Sequence, residues 1–308
     1  MADGGLRGVD AVPGADLAAR GDGSPASDAS PVVDAGGPDA GDPTDAAEAP
    51  STIPHAVRVA RATRVPACDL HVDARAAAPA DGSARAPYAT IASAVAAAAP
   101  GATICVAEGV YPESIEAGTL PFSLAGGFRS GSEFRERDSA RYVSRAQGSG
   151  RGSFVSIVDE GPRGAQLLGV DGFEVTGYAQ AILRDVYYSQ QVSITNNDIH
   201  DNRCDRPDQA GAAFSLSNVS GTIAGNVIAR NTCARGGGGA LFDSTDENSV
   251  TLASNWVDEN VGDEPDISHG GGWYLFGHQL SVVGNLFTGN RVTGWGGGFA
   301  GPFFRSRL

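Results

Sequence analysis

Several residue types and patterns are missing from this 308-residue sequence, and each absence excludes a class of protein. Lysine is absent, so all 22 basic residues are arginines, which excludes Schiff-base and lysine general-base chemistry. No apolar run is long enough to cross a bilayer, so no transmembrane segment is expected. The first residues lack the basic and apolar regions of a signal peptide, so the sequence does not itself show export.

The charge balance limits the partners. Acidic residues outnumber basic ones by 36 to 22, for a net charge of −14. Such a charge repels nucleic acids and anionic membranes. We therefore expect neutral or cationic partners and no nucleic-acid binding.

The amino-terminal part is poor in residues that form a core. Residues 1–56 contain nine Gly, seven Pro and no aromatic residue, and they carry a net charge of −8. A segment of this composition buries too little apolar surface to offset its ordering entropy. We predict that residues 1–59 form a disordered acidic tether and that residues 60–308 form the folded domain.

A short helix is predicted at the start of the folded domain. Thr90 can cap it, and Ile91, Ala94, Val95 and Ala98 then fall on one face before Pro100 and Gly101 end it. Short extended segments follow at 103–106, 113–115 and 120–125, and a poorly patterned insertion rich in Arg, Ser and Gly is expected at 129–151.

The strongest signal is an internal repeat that starts at residue 192. Four segments align without gaps: VSITNNDIHDN, GTIAGNVIARN, VTLASNWVDEN and LSVVGNLFTGN. Two Asn columns recur in them at intervals of 29, 29 and 30 residues, namely Asn197, Asn226, Asn255 and Asn285, and Asn202, Asn231, Asn260 and Asn290. A fixed period of this length indicates a solenoid.

The residues within each repeat indicate which solenoid it is. Apolar Ile194, Ile223, Leu252 and Val282 alternate with the preceding hydroxyl residues Ser193, Thr222, Thr251 and Ser281. This period of two is typical of a strand with one buried face. Coils of about 29 residues built from short strands predict an all-β parallel β-helix, here with an amino-terminal capping helix.

These repeats resemble those of a known superfamily. The endings IHDN, IARN, VDEN and FTGN, each followed by a Gly-Gly pair or its Gly-Ala variant, resemble the FxxN and GGA(I/L/V) repeats of chlamydial polymorphic outer membrane proteins. Residues 87–115 and LAGGF at Leu124 are similar to the start of many secreted members of the right-handed parallel β-helix, or pectin-lyase-like, superfamily. The resemblance implies this fold from about Cys68 to the end.

The catalytic patterns of pectate lyases and polygalacturonases are absent. No Asp-Asp pair and no Gly-His-Gly occur, and Asn231 is followed by Thr-Cys rather than by Thr-Asp. Arg206 precedes a proline, as in a lyase site, but the second arginine of such a site is lacking. Because a fold does not transfer a function, the sequence favours a role without catalysis.

One group of polar residues remains a candidate for chemistry. Stacking of the coils places Asp208 and Asp266 on one face with Arg235 between them and His269 nearby. This grouping suggests either a carboxylate pair for glycan hydrolysis or a Ca²⁺ site. A solvated acidic face without metal or cofactor is the favoured interpretation, because runs of charge usually lie in water.

Aromatic residues gather in the last two coils. Trp273 and Tyr274 are strand neighbours, so their side chains point to opposite faces. Together with Trp295, outward rings could stack on sugars. The alternative, equally weighted, is that inward rings fill the core and outward rings are ordinary surface.

The Asn columns and the cysteines have structural interpretations. Stacked amides are expected to hydrogen-bond to each other and to the bend backbone, because an unpaired buried amide is costly. Cys204 and Cys233 share the 29-residue interval, so adjacent coils bring them within disulfide reach, and Cys68 and Cys105 then pair by elimination. Two free buried thiols are the alternative. The lack of a CxxC pair argues against zinc.

We therefore expect a secreted or cell-surface β-helix that serves as a binding, adhesive or structural module, with a polysaccharide or cell-surface glycan as its partner. A polysaccharide lyase or glycoside hydrolase with a divergent site is the alternative. The sequence does not specify the oligomeric state. No segment after Gly298 covers the last coil, and an open edge favours aggregation, so we expect that the chain continues beyond Leu308.

Overall fold

The structure is a computed structural model. It describes residues 61–116, 118, 120–157, 167–184, 190–204, 206, 209–242, 248–263, 270–301 and 303–307. The tether predicted for residues 1–59 lies outside this part of the chain, so its disorder stays a prediction.

One helix and 25 short strands make up the described part of the chain. The helix, α1, spans Ile91–Ala97. The strands are, in chain order, β1 Leu70–Val72, β2 Ala102–Ala107, β3 Gly109–Tyr111, β4 Ile115–Glu116, β5 Phe122–Phe128, β6 Ser144–Gln147, β7 Val155–Ile157, β8 Leu167–Asp171, β9 Phe173–Thr176, β10 Ile182–Arg184, β11 Gln190–Thr195, β12 Asp198–His200, β13 Phe214–Ser217, β14 Val219–Ala224, β15 Val227–Ala229, β16 Thr232–Cys233, β17 Gly239–Phe242, β18 Ser249–Ala253, β19 Trp256–Asp258, β20 Val261–Gly262, β21 Trp273–Val283, β22 Leu286–Thr288, β23 Arg291–Val292, β24 Phe299–Ala300 and β25 Phe303–Arg307.

The strands stack into parallel sheets, as the repeat predicts. Sheet A contains β1, β2, β5, β8, β11, β14, β18, β21 and β25; sheet B contains β3, β6, β9, β12, β15, β19 and β22; sheet C contains β4, β7, β10, β13, β17, β21 and β24. A small sheet D joins β16, β20 and β23. Successive coils contribute successive strands, so the chain winds as a solenoid, and β21 belongs to both A and C because it runs on through the bend between them.

The interior holds the predicted apolar row. Ile194 is paired with Ile223, and Ile223 with Leu252, and all three are fully buried. The hydroxyl residues beside them, such as Thr222, are half-buried on the outer face of sheet A. The period-two prediction is therefore confirmed, and the side chains inside the coils form one continuous core.

The helix α1 packs beside the first coils, as predicted. Thr90 is its N-cap residue, and the Thr90 side chain accepts a hydrogen bond from the backbone N–H of Ser93. The carboxylate of Glu113 accepts from the N–H groups of Ile91 and Ala92, at 2.9 and 2.8 Å. The first four backbone N–H groups of a helix have no acceptor within the helix, and a side chain from another part of the chain thus accepts from two of them here.

Before residue 192 the chain is more regular than predicted. The segment expected at 113–115 is the strand Ile115–Glu116, and Gly109–Tyr111 is a strand that the pattern did not indicate. The insertion expected at 129–151 contains β6, which pairs with both β3 and β9 and so belongs to a complete coil. The alternation is not visible there because the two inward residues of β6 are Ser144 and Ala146, which are buried but are not large apolar residues.

Candidate functional site

Two ladders of asparagine side chains run along the bends at the two ends of sheet B. The Nδ2 and the backbone N–H of Asn197 both donate to the Oδ1 of Asn226, one coil further on, at 3.0 and 2.9 Å. The Nδ2 of Asn226 also donates to the carbonyl of Ile194 at 2.9 Å. The same pattern links Asn197, Asn226, Asn255 and Asn285 in one ladder and Asn202, Asn231, Asn260 and Asn290 in the other. The amides thus bind the coils to one another inside the bends.

Of the carboxylate group proposed from sequence, only Arg235 belongs to the described residues. Its carbonyl oxygen accepts a hydrogen bond from the N–H of Gly211 at 2.8 Å. Asp208, Asp266 and His269 lie outside the described residues, so the grouping stays a prediction. Within the described part, no three His, Cys, Asp or Glu side chains are arranged to hold a metal ion. The Ca²⁺ hypothesis therefore also stays untested.

The three aromatic candidates have different environments. Trp273 is fully buried and contacts the rings of Phe214 and Phe287 in the core, so it cannot stack on a surface ligand. This corrects the expectation for Trp273, and the reason is that its side chain points inward from β21. Tyr274 points outward and is half-buried, whereas Trp295 is 77% exposed.

Both disulfides expected from the cysteine spacing are present. Cys204 and Cys233 lie in adjacent coils with their Cα atoms 4.9 Å apart. Cys68 and Cys105 are joined across a Cα distance of 5.7 Å, which ties β2 to the segment before β1. No cysteine is free.

One cavity among the described residues is a groove on the outer face of sheet A. It encloses about 520 Å³ between this face and the segment 61–66, which passes over it. The floor is formed at one register position by the outward side chains of Thr103, Ser123 and Ser193, from β2, β5 and β11. Gly169 of β8 occupies the same position between Ser123 and Ser193 and adds no side chain. We call this cavity the hydroxyl groove.

A buried arginine holds the wall of the hydroxyl groove in place. The Arg137 side chain is 3% exposed, and its guanidinium donates to the carbonyls of Gly126 and Arg64 and to the Asp171 carboxylate at 2.6–2.8 Å. Asp171 also accepts from the Thr195 hydroxyl at 2.7 Å. The guanidinium also donates to the backbone carbonyl of Asp171 at 3.2 Å, so its donors reach four oxygens in all. Arg137 therefore fixes both the segment 61–66 and the end of β8.

The arginines of the hydroxyl groove differ in their partners. Arg137 pairs with Asp171, and Arg61 pairs with Asp138 at 2.5 Å. Arg64 is exposed on the rim and forms no ion pair within the described part of the chain. The groove therefore keeps a positive charge in a protein whose net charge is −14.

A second polar site lies on the outer face of sheet B. Glu174 is central to it, because its Oε1 lies 3.0 Å from Arg145 Nε and 3.3 Å from His200 Nε2. His200 Nδ1 is 2.7 Å from the Asp201 carboxylate, which is in turn paired with Arg230 at 2.9 Å. We call these side chains, together with Asp198 beside Glu174 on the same face, the ionic cluster. They surround a cleft of about 310 Å³.

The ionic cluster shifts the acidity of its members. Burial alone lowers the pKa of His200, but its hydrogen bond to Glu174 and the charges of Asp198 and Asp201 outweigh burial and raise it. Burial raises the pKa of Glu174, but hydrogen bonds from His200 and Arg145 lower it overall. The Asp201 pKa is also lowered, because Arg230 and His200 oppose the effect of burial. Each shift favours the charged form of the group.

The sequence interpretation missed the ionic cluster. Its one visible signal is the repeat ending DIHD, at 198–201, which puts charged residues where the next repeat has Val227 and Ala229. The other half of the cluster comes from Arg145 and Glu174, which lie before the regular repeats. Their register with Asp198 is set by β6, β9 and β12, and it could not be read from the spacing.

No described helix has the length and hydropathy that crossing a membrane requires. In comparisons with known proteins, residues 171–300 match the family model of the right handed beta helix region. No curated protein and no solved structure matches the chain significantly. The resemblance to the chlamydial repeats is not tested by the match. The family match and the parallel stacking of the coils together identify the fold of the described residues as a right-handed parallel β-helix.

Proposed function

We propose that this β-helix is an extracellular binding module whose hydroxyl groove holds an extended acidic glycan. The observation that carries the proposal is the position of Arg64 on the rim of a groove floored by hydroxyl groups. A carboxylate of the ligand would supply the partner that Arg64 lacks in the described part of the chain. The remaining sugar hydroxyls would bond to the floor.

The floor suits a chain-like ligand because it repeats. Equivalent positions in neighbouring strands of a sheet are about 4.8 Å apart, so Thr103, Ser123 and Ser193 form a row along the solenoid axis. A hydroxyl group both donates and accepts hydrogen bonds, which matches a polyhydroxylated ligand better than an apolar one. Flexibility of the wall is limited because Arg137 anchors it, so little ordering entropy is lost on binding.

The compartment is inferred from the two disulfides. Disulfides persist in oxidising environments, and these two occupy separate parts of the fold. They support an extracellular or cell-surface location. Isolation of the protein from its native compartment and mass spectrometry of a non-reduced digest tests this directly, and recovery of alkylated thiols would contradict it.

The binding proposal is tested by affinity electrophoresis and calorimetry. The probes are polygalacturonate as the acidic polymer and galactan as its neutral counterpart. We expect polygalacturonate to bind the unmodified protein more tightly than galactan does. Arg64→Ala should weaken polygalacturonate binding about tenfold, the effect of losing about 1.4 kcal/mol from a charge-assisted hydrogen bond.

The matched control is Arg291→Ala, which removes another exposed arginine from a strand far along the chain. It should leave the affinity unchanged. Equal losses for both variants would show that binding is a nonspecific effect of charge. Release of new reducing or ultraviolet-absorbing ends from either polymer would replace the binding role by the lyase or hydrolase alternative.

A further inference from the structure

We propose an oxyanion-binding site, separate from the hydroxyl groove, in the turn that joins β6 of sheet B to β7 of sheet C. The turn contains the sequence Gly-Ser-Gly-Arg-Gly-Ser at 148–153, which we call the glycine turn. Residues of the glycine turn and residues 112–114 of the preceding coil line a cavity of about 340 Å³. The ligand class is a tetrahedral oxyanion, that is, a phosphate or sulfate group.

The cavity forms because adjacent coils have turns of unequal length at this place. Between the last residue pair that joins β3 to β6 and the first pair that joins β4 to β7, one coil has three residues, 112–114, and the next has eight, 147–154. A turn of eight residues cannot stack along its whole length on a turn of three. A gap therefore remains between the two coils.

The glycine turn is anchored to the following coil. The backbone N–H of Gly148 donates to the carbonyl of Thr176 at 2.8 Å, and the N–H of Gly150 donates to the carbonyl of Gly177 at 2.6 Å. The carbonyl of Gly152 accepts from two backbone N–H groups of the same coil, at 3.1 and 3.3 Å. These bonds hold the turn in place before a ligand arrives, which lowers the entropy lost on binding.

The residues between these anchors offer donors to the gap. Ser149 and Arg151 both line the cavity, and neither backbone N–H has an acceptor within the described part of the chain. The hydroxyl groups of Ser114 and Ser149 also form no hydrogen bond with other described residues. Because each of these groups can donate, the gap is suited to a ligand with several acceptor oxygens.

The backbone conformation of the glycine turn is typical of anion sites. Gly150 and Gly152 have φ values of 86° and 64°, whereas Arg151 between them is not in the left-handed region. Such an alternation turns successive N–H groups toward one concave side, where they bind anions in many proteins. A residue with a Cβ atom adopts these φ values only at a steric cost, which accounts for the glycines.

The charges at the cavity also favour an anion. Arg151 is exposed and forms no ion pair with any described residue. Glu113 is the one carboxylate among the residues that line the cavity, and it already accepts from the N–H groups of Ile91 and Ala92 in α1. The planar guanidinium of Arg151 is thus left to bind an oxyanion through two parallel hydrogen bonds.

Binding is measured on the full chain with sodium phosphate, sodium sulfate and sodium acetate as probes. Calorimetry gives the affinity, and the backbone amide signals of Ser149 and Arg151 in heteronuclear NMR spectra locate the site. We expect phosphate and sulfate to bind and to shift both signals. Acetate has only two oxygens and should bind about tenfold more weakly, since it leaves part of the donor set unpaired.

Three variants test the role of the arginine. Arg151→Ala should weaken phosphate binding about tenfold, with an unchanged melting temperature because the side chain is exposed. Arg151→Lys keeps the charge but loses the planar fork, so it should weaken binding about threefold. Arg291→Ala is the matched control, because it removes an exposed arginine of the last coils, and it should leave the affinity unchanged.

Phenyl phosphate distinguishes the two sources of the anion. If the site takes a phosphate group carried by a larger molecule, phenyl phosphate should bind at least as tightly as inorganic phosphate. Weaker binding of phenyl phosphate would assign the site to the free anion. Both results support an oxyanion site.

Three outcomes overturn the inference. The first is that neither phosphate nor sulfate binds the unmodified protein. The second is an equal loss of affinity in Arg151→Ala and Arg291→Ala, which would show a nonspecific effect of charge. The third is binding that leaves the amide signals of Ser149 and Arg151 unshifted. None of these measurements uses polygalacturonate, so this inference and the proposed function can fail separately.

Discussion

The bends of the coils are built on single residues in the left-handed backbone region. The residue before each ladder Asn has a positive φ, for example Asn196 at 53° and Ser254 at 53°, while Gly225 and Gly284 take the equivalent place in other coils. For a residue other than glycine this conformation costs about 1–2 kcal/mol. The fold accepts this strain because the following Asn completes the ladder.

Two members of the ionic cluster occupy the equivalent position at the second ladder. Asp201 and Arg230 have φ values of 54° and 53°, where Gly289 stands two coils beyond Arg230. The ion pair between Asp201 and Arg230 therefore joins two residues whose backbone conformation glycine would adopt at lower cost. Strained residues that make a specific polar contact are common at functional sites.

Replacing Ser254 by glycine tests the strain itself. Ser254 is exposed, and glycine adopts its φ without steric cost, so Ser254→Gly should raise the free energy of unfolding by roughly 0.5–1 kcal/mol after the entropy of the unfolded chain is counted. The neighbouring Ala253→Gly, in strand β18, should lower it by about 0.5–1 kcal/mol. Thermal unfolding of the two variants measures these changes in stability. A loss of stability in both variants would mean that the bend is not strained.

At the scale of the element, each Asn ladder ends where asparagine is replaced. The backbone N–H of Phe173 donates to Asn197 Oδ1 at 3.0 Å, and that of Tyr178 donates to Asn202 Oδ1 at 2.9 Å. These contacts span 24 residues rather than 29, so the coil before residue 192 is shorter than those that follow. This shorter interval interrupts the alignment of the repeats in the sequence, but the strands still stack in the structure.

That interruption explains what the sequence could and could not predict. The strand alternation, the ladders of Asn and the interval between Cys204 and Cys233 all lie in coils of constant length, so spacing alone aligned them. Arg145 and Glu174 are separated from Asp198 by this 24-residue step, and only the backbone pairing shows that they lie beside it. The segment 61–66 was missed for another reason: its position depends on contacts such as the hydrogen bond from Arg137 to the carbonyl of Arg64, which sequence periodicity does not encode.

The ionic cluster predicts a pH dependence of stability. The pKa of His200 is raised in the folded state, so its stabilising contribution is complete below the unfolded value of about 6.5 and is lost as the pH rises through the folded pKa. The free energy of unfolding can be measured by chemical unfolding at about pH 5.5 and at about pH 8.5. The difference between the two values should be smaller in His200→Asn than in the unmodified protein.

The residues around His200 provide control variants for this pH dependence. Glu174, Asp198 and Asp201 favour its protonated form, and Arg145 and Arg230 are held by the same carboxylates. Glu174→Gln should therefore reduce the same pH difference. Thr176→Ala, which alters the uncharged neighbour of His200 in β9, should not. An unchanged difference in His200→Asn would contradict the electrostatic account.

At the scale of the molecule, the net charge bears on the binding proposed for the hydroxyl groove. The net charge of −14 opposes the approach of an acidic polymer, whereas under the proposed function Arg64 would attract it locally. Repulsion from distant charges is screened beyond about 8 Å at physiological salt, so the local field dominates there.

The solenoid architecture also determines how a destabilising substitution in one coil affects the others. Each coil contacts chiefly the coils before and after it, so the central coil that holds Ile223 couples the two halves of the described domain. Ile223 is fully buried, whereas Thr222 beside it points outward and is half-buried. A change at these two neighbours therefore separates the inner face from the outer face in one coil.

Ile223→Asp should destabilise the protein by several kcal/mol, because it places a carboxylate among apolar side chains without a partner. We expect thermal unfolding to become less cooperative, because the coils on either side of residue 223 lose their coupling. The calorimetric transition should then broaden or separate into two. Thr222→Asp, whose carboxylate reaches solvent, should cost about 1 kcal/mol or less. Calorimetric melting of both variants measures this, and equal tolerance of the two changes would show that the interior of the coil is not where the strand alternation places it.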